Sequence, residues 1–588
     1  MKTFLKMLLA SILGGLILLF IAFVFIVSLA SLAEQETKIV ENTVLKLDLN
    51  TIIKDRADNN PLSGFDPFSL QPEIALGLDQ VIGGLKAAAE DDRITGVFIN
   101  GGLPLTGHAT VKEIHNALKA FKASGKFVIG YTEILTQKGL YISSATDSFF
   151  VNPKGIVEWN GLNASVTYYK EALSKIGLQP EVLRATNNRF KSAVEPYLLQ
   201  EMSEANRAQL NSLLFSVWDT YLTDIGEAKS LSKETLNDLA DSSPILSPTL
   251  AASSGLIGGT AYYDEVLDML ANRTGVDKTD DISFLSFQKY SEGKKVGGTT
   301  AINSNRIAVI IAQGEIRDGG GSEYIIGSER IAKAIRKARN NKKVKAIVLR
   351  INSPGGSALA SEVIWREVAL AREQKPVIAS MGDVAASGGY YIAAFADTIL
   401  AQPNTITGSI GAFGLFFTGE ELMHDKLGLN IETVPTNKYA DLGTFDRALT
   451  PSEKGMLISQ VDRIYNTFKE RVAEGRGMTV DEVDSIGQGR VWSGTEALEL
   501  GLVDVLGGLD DAIKIAAEKA EISDDYSVRL YPEQEDPFVQ LMQQLGGNVK
   551  TSLIENELGS YAKYFHLLKD IKNREGMQTR MEYDITIE

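Results

Sequence analysis

The sequence predicts an α/β protein of two tandem βαβ domains behind one N-terminal transmembrane helix. Three observations carry this expectation. Residues 94–153 lie on residues 344–403 without a gap, so ITGVFIN (Ile94–Asn100) falls on VKAIVLR (Val344–Arg350) and GLYISSATDSFFVNP (Gly139–Pro153) on GYYIAAFADTILAQP (Gly389–Pro403). Apolar β-branched runs alternate with helical patterns, the rhythm of a mainly parallel sheet covered by helices. Met7 to Ala33 runs for 27 residues without a charge, longer than the about 20 apolar residues that span a bilayer.

In chain order, residues 1–6 form a short leader and residues 7–33 the anchor. SLASLA before Glu34 would suit a cleaved signal peptide, but such peptides carry a shorter apolar region, about 7–15 residues. The run is therefore read as retained. Lys2 and Lys6 precede it, whereas Glu34 and Glu36 follow, and the excess of positive charge holds the N-terminus in the cytoplasm with the body across the membrane. The first domain is expected over 40–285, with TVLKLDL (Thr43–Leu49) as a strand and the polar segment Lys54–Pro72 as a surface loop. A polar connector, Phe287–Asn305, leads to the second domain, over 305–535. There IAVIIAQGEI (Ile307–Ile316), KAIVLRI (Lys345–Ile351) and PVIASM (Pro376–Met381) read as strands. Ser328–Asn341, with Ser328 as N-cap, and Ala358–Glu373 read as helices. The tail, 536–588, holds an amphipathic segment, Phe538–Leu545, and a mixed-charge end with no readable role.

Length and composition narrow the function. At 588 residues the chain exceeds a single core. A net charge of −16 argues against nucleic acid, which demands a basic face. The absence of cysteine removes disulfides, thiolate metal sites and cysteine nucleophiles. The four histidines, His108, His115, His424 and His566, stand apart from one another and from any Gly-rich turn. A His-based triad or a zinc site is thus not expected, and neither a metal nor another cofactor is called for.

One position stands out in the second copy. Ser387, in GDVAASGGYYIAA (Gly382–Ala394), follows a strand and three small residues and precedes two glycines and a helical run. That puts a hydroxyl at a tight turn where backbone N–H groups favour negative charge. Alone, the position reads as an N-cap. INSPGGS (Ile351–Ser357) shifts the balance: Pro354 fixes a turn and Gly355 and Gly356 leave N–H groups bare, able with Gly388 to receive an oxyanion. The first copy has LPLT (Leu103–Thr106) in place of SPGG and Gln137 in place of Ser387. Joint loss fits two features that act as one site. A nucleophilic serine requires a base, and with histidine scarce a desolvated lysine is the natural candidate. Lys191, in NRFKSAVEPYLLQEMS, has apolar neighbours, but residues and spacing do not select it.

The motifs AASGGYYIAA, INSPGG, TGSIGAFG (Thr407–Gly414) and FKSAVEP, with the anchor and tandem layout, resemble the signal peptide peptidase A (protease IV) family in its long, double-domain form. The second copy is similar, more distantly, to the Clp protease proteolytic subunit and the crotonase fold. The resemblance implies a Ser–Lys dyad: Ser387 as nucleophile, Lys191 as general base, Ser409 bonded to the lysine, and Gly355, Gly356 and Gly388 around the oxyanion hole. It also implies a homo-oligomer, a tetramer, that cuts signal-peptide remnants at the outer face of the inner membrane. Lys438 stands twelve residues before Thr450 as Lys191 stands twelve before Ser203. The residues after Lys438 depart from the FKSAVEP motif, so Lys191 is the expected partner of Ser387, from the same chain or a neighbour. Two rival readings are a crotonase-like acyl-CoA hydratase or isomerase, which lacks support from any basic CoA-binding signature, and a catalytically silent membrane scaffold.

Overall fold

The computed structural model describes residues 13–15, 17, 39–57, 75–292, 294, 305–523, 525–534 and 576–581. Nearly all of the expected anchor and of the Lys54–Pro72 loop, and the whole amphipathic segment Phe538–Leu545, lie outside them. Among the described residues no helix is long and apolar enough to cross a membrane.

Each copy is built on its own mainly parallel sheet. The first orders its strands Phe284–Ser286, Thr43–Asp48, Ile94–Asn100, Phe127–Leu135, Ser148–Glu158 and Ile245–Leu246. The second repeats the plan with Ser527–Tyr531, Arg306–Gln313, Val344–Ser353, Val377–Ala386, Ile406–Gly408 and Val491–Ser493. Helices cover the sheets, so central strands read as continuous apolar runs: Ile347, Val348, Leu349 and Ile351 are all buried. The sequence alignment is met in space, since Ile94–Asn100 and Val344–Ser353 pair with Thr43–Asp48 and Arg306–Gln313 in the same parallel sense. Ser203 and Thr450 cap matching helices, Glu204–Lys229 and Pro451–Arg476, each accepting a bond from the backbone N–H three residues on.

Three local expectations change. Gly327, not Ser328, is the N-cap of the helix Ser328–Asn340, because Ile325–Gly327 is a strand that runs straight into it. Phe287–Ser291 is a helix rather than connector, with Phe287 and Tyr290 buried against the first copy's core. SPGG is more than a turn: Gly355–Ser357 is a short strand.

That strand belongs to a third sheet, which joins the copies. Its order is Ile325–Gly327, Glu315–Arg317, Gly355–Ser357, Gly576–Arg580, Phe413–Thr418 and Gln179–Arg184. The last is an arm of the first copy, paired antiparallel over Gln179–Arg184 and Phe413–Thr418. A buried ionic seam joins the copies elsewhere. The Arg350 guanidinium, fully buried, donates to Asp55 at 2.7 Å and Glu113 at 2.6 Å, both from the first copy. Glu113 in turn accepts from Leu509 N–H at 2.8 Å. Asp383 accepts from Thr110 N–H and Oγ1 at 2.8 and 2.7 Å. Burial raises both the Glu113 and Asp383 carboxyls above the ordinary range, against the pull of their hydrogen bonds and of Arg350.

Candidate active site

The strand Val377–Ala386 ends at Ser387, and the six-residue helix Gly388–Ala393 begins immediately after. Ser387 has φ 54° and ψ −114°, a left-handed backbone that a residue with a Cβ adopts only under constraint. The constraint is visible: Ser387 N–H donates to Gly408 O at 2.8 Å, and its carbonyl accepts from Tyr391 N–H at 2.8 Å. The side chain makes no capping bond, so the hydroxyl is turned to other use than the N-cap reading would give it.

The glycines around it are required by close approach. A Cβ on Gly389 would stand 2.7 Å from Ser353 O. A Cβ on Gly388 would stand 2.7 Å from Ser361 Oγ and 3.1 Å from the Gly355 Cα. Gly355 has φ 98° and Gly356 φ 152°, and a Cβ on Gly355 would lie 2.7 Å from Gly388 N. The SPGG strand and the start of the Gly388 helix thus meet backbone to backbone beside Ser387. With only six residues, that helix supplies individual N–H groups rather than a long dipole.

Lys191 reaches this point from the first copy within one chain. Its side chain is fully buried, and Nζ lies 2.9 Å from Ser387 Oγ, 2.7 Å from Ser409 Oγ and 3.0 Å from Ser409 O. Ser409 is itself held at φ 51°, its N–H donating to Arg490 O at 2.7 Å. The fold therefore brings Ser387, Lys191, Ser409 and the three glycines together. It leaves Lys438 exposed, its Nζ over the Tyr439 ring at 4.9 Å.

Other residues set the lysine in place, and sequence reasoning passed over them. Phe190 N–H donates to Gln488 O at 2.8 Å, and Asn188 Nδ2 to Ala412 O at 2.7 Å. Gln209 Nε2 bonds Ser192 Oγ at 2.7 Å, while Ser203 Oγ donates to Glu195 at 2.6 Å. Gly489, φ 81°, has no room for a side chain, since a Cβ would stand 2.5 Å from the Lys191 Cβ. The GQGR run (Gly487–Arg490) was the available signal.

Two stretches, residues 120–277 and 369–523, match the model of peptidase family S49. The chain is 35% identical to the chloroplastic serine protease SPPA of Arabidopsis thaliana, over 93% of this chain and 78% of that one. It is 33% identical to Protease 4 of Salmonella typhi, covering 87% and 84%, and 32% identical to Protease 4 of Haemophilus influenzae, covering 88% and 85%. A ClpP1 variant of Listeria monocytogenes is similar over 35% of this chain at 17% identity, but its TM-score of 0.24 is too low to argue from. Two matched repeats and relatives of such length lead to one conclusion: the chain belongs to peptidase family S49 and is a serine peptidase.

Proposed function

We propose that the protein is a membrane-anchored serine endopeptidase with a Ser387–Lys191 dyad, which degrades cleaved signal peptides and other hydrophobic peptides. The observation that carries the reading is the 2.9 Å approach of Lys191 Nζ to Ser387 Oγ in a site closed to water. Removal from water disfavours a charged amine, and the neutral form is what a general base requires. Lys191 takes the Ser387 proton, the alkoxide attacks the peptide carbonyl, and N–H groups among Gly355, Gly356 and Gly388 receive the oxyanion. Lys191 then protonates the leaving amine, and water hydrolyses the acyl-enzyme. Ser409 orients Nζ through its hydroxyl and carbonyl. No metal or other cofactor takes part.

The remainder of the reading rests on the sequence for the anchor and its orientation, and on the family resemblance for the assembly. Residues 7–33 anchor the chain in the bilayer, Lys2 and Lys6 keep the N-terminus in the cytoplasm, and the body faces the periplasm of a bacterial cell. Several chains assemble, as a tetramer. A quenched fluorescent apolar peptide tests the chemistry: the wild type hydrolyses it, and Ser387→Ala, still folded by circular dichroism, does not. Retention of more than residual activity in Ser387→Ala would remove the assignment.

A further inference from the structure

The two copies leave a groove along their seam. It has a volume of about 370 Å³ and lies among the helices Leu78–Glu90 and His108–Lys122 of the first copy and Leu509–Lys519 of the second. Small-molecule sites occupy about 300–1,000 Å³, so the groove is large enough for a small ligand. Ile82, Leu85 and Ala89 recur at three and four residues along one helix, and Glu113, Ala117 and Phe121 at four along the next. Each set therefore shares a helix face, and both faces line the groove. The walls are apolar, and the polar groups Glu113 and Gln402 gather at one end, beside Gly508.

That end lacks a hydrogen-bond partner and a cation. Gln402 is 3% exposed, and its backbone bonds Thr405 through both N–H and O, each at 3.0 Å. Its side-chain amide makes no hydrogen bond among the described residues, although a buried amide left unpaired is costly. Gly508 lets the amide and the carboxylate converge, since a Cβ there would meet Glu113 Oε2 and stand 2.9 Å from Gln402 Nε2. Asp55 and Glu113 share the single guanidinium of Arg350, which leaves one carboxylate in excess at the floor. Burial raises the Glu113 carboxyl against the pull of Arg350, as befits a carboxylate that a shared cation does not fully offset. The rim lysines are engaged elsewhere: Lys514 lies 2.7 Å from Asp510 and 3.7 Å from Asp511, and Lys86 3.8 Å from Asp510.

We propose that this groove binds a primary ammonium on an apolar body, with the ammonium between Glu113 and the Gln402 amide and the apolar part along Ile82, Leu85 and Phe121. An ammonium brings three donors and one positive charge, so it gives the Gln402 amide oxygen a partner and the floor its second cation. A carboxylate or phosphate would be repelled by Glu113, and an alcohol would meet the amide without balancing the charge. Both copies wall the groove, so a ligand held there favours the docked arrangement over any in which they part. Two sources share this chemistry: a free aliphatic amine, and the new amino end that cleavage leaves on an apolar peptide fragment. The second source rests on the apolar-peptide reading above, whereas the site itself stands on the seam alone.

Calorimetric titration of the full-length protein with n-hexylammonium, hexanol and hexanoate tests the charge, and leucyl-leucinamide with its N-acetyl form tests the source. Hexylammonium is expected to bind one to a chain, about tenfold or more tighter than the other two hexyl probes, the scale of one charge-assisted bond. It is also expected to raise the unfolding temperature as its concentration rises. Gln402→Leu, and Ala117→Phe, which fills the groove from its wall, should each weaken binding about tenfold or more with the circular dichroism spectrum kept. The three hexyl probes on the unaltered protein decide the charge even if a variant fails to fold. Binding of leucyl-leucinamide that is lost on acetylation and in Ala117→Phe assigns the site to cleaved peptide, and binding of hexylammonium alone assigns it to a free amine. Hexanol bound as tightly as hexylammonium, hexanoate bound more tightly, affinity unchanged in both variants, or no binding at all overturns the proposal. Ser387→Ala is expected to bind hexylammonium as the wild type does, so peptide hydrolysis that persists in Ser387→Ala removes the dyad and leaves this site standing.

Discussion

The turn at Gln137 and the turn at Ser387 stand at the same place in two copies of one fold, and only the second brings a serine hydroxyl against a buried lysine amine. At Gln137 the side chain is spent on its own loop: Nε2 donates to Gly161 O at 2.8 Å, and Oε1 accepts from the N–H groups of Asn160 and Gly161 at 3.1 and 2.9 Å. The next residue, where the second copy has Gly388, is Lys138, whose Nζ donates to Thr106 O at 2.9 Å across the position of the oxyanion turn. Burial lowers the Lys138 pKa, against the pull of Asp383. The first copy has therefore lost the nucleophile, the glycines and the gap between them. What it retains is the arm, Gln179–Arg184, and the loop beyond it that carries Lys191 into its partner copy. On the proposed dyad, labour is divided: one copy would present the serine and oxyanion donors, and the other the base.

The largest expected effect tests that division directly. Lys191→Ala should lower kcat on the fluorescent peptide by about 10⁴-fold, the upper range of what a positioned general acid–base contributes. Lys438→Ala, which removes an exposed side chain whose Nζ lies over the Tyr439 ring, should keep substantial turnover. Steady-state kinetics on the two purified variants decides, and the reverse order would return the base to the second copy.

Much of this comparison was legible in the sequence, and the part that was not has a physical reason. The gapless alignment gave the repeat, and the glycine pairs at 355–356 and 388–389 gave the tight backbone contact around Ser387. Alternation of apolar runs gave the parallel sheets. Lys191 could be reached only through resemblance, because a lysine becomes unusual by being buried and burial is a tertiary property. The Asp55–Arg350–Glu113 seam was hidden for the same reason, since its three residues lie 58 to 295 positions apart along the chain. The tail strand was hidden because GMQTR (Gly576–Arg580) has no apolar alternation of its own. It becomes a strand by borrowing the edges of two others.

The next effect concerns the donors that Lys138 and Thr106 have replaced in the first copy. Gly355→Ala would force a left-handed backbone on alanine and drive its Cβ toward Gly388 N. Loss of a well-placed oxyanion donor costs about 10²–10³-fold in kcat, and that fall is expected here with KM changed much less. An unaltered kcat would show that the glycine N–H groups do not touch the transition state.

A third effect lies in stability, because the site between the copies exists only while they stay docked. Arg350→Met leaves Asp55 and Glu113 buried without their cation, a loss of about 3–5 kcal/mol for a broken buried pair. Chemical denaturation should show the unfolding free energy falling by that amount, with peptide turnover lost in step as Lys191 leaves Ser387. If stability falls while turnover per folded molecule holds, the seam supports the fold without setting the site.

The smallest effect is an expected absence, and it is the sharpest probe of why the first copy is silent. Gln137→Ser in a Ser387→Ala background restores a hydroxyl at the equivalent turn. It leaves Lys138 across the Thr106 carbonyl, leaves LPLT without glycine donors, and brings no lysine amine to the new serine, because Lys191 is committed to the other turn and Lys438 is exposed. Hydrolysis of the fluorescent peptide should stay at the level of Ser387→Ala alone. Measurable turnover by the double variant would mean that Lys438 of another chain reaches the first copy's turn, and that silence there rests on the serine alone. The geometry favours the other account: a site is lost together when its donors, its base and its open groove all depend on one another.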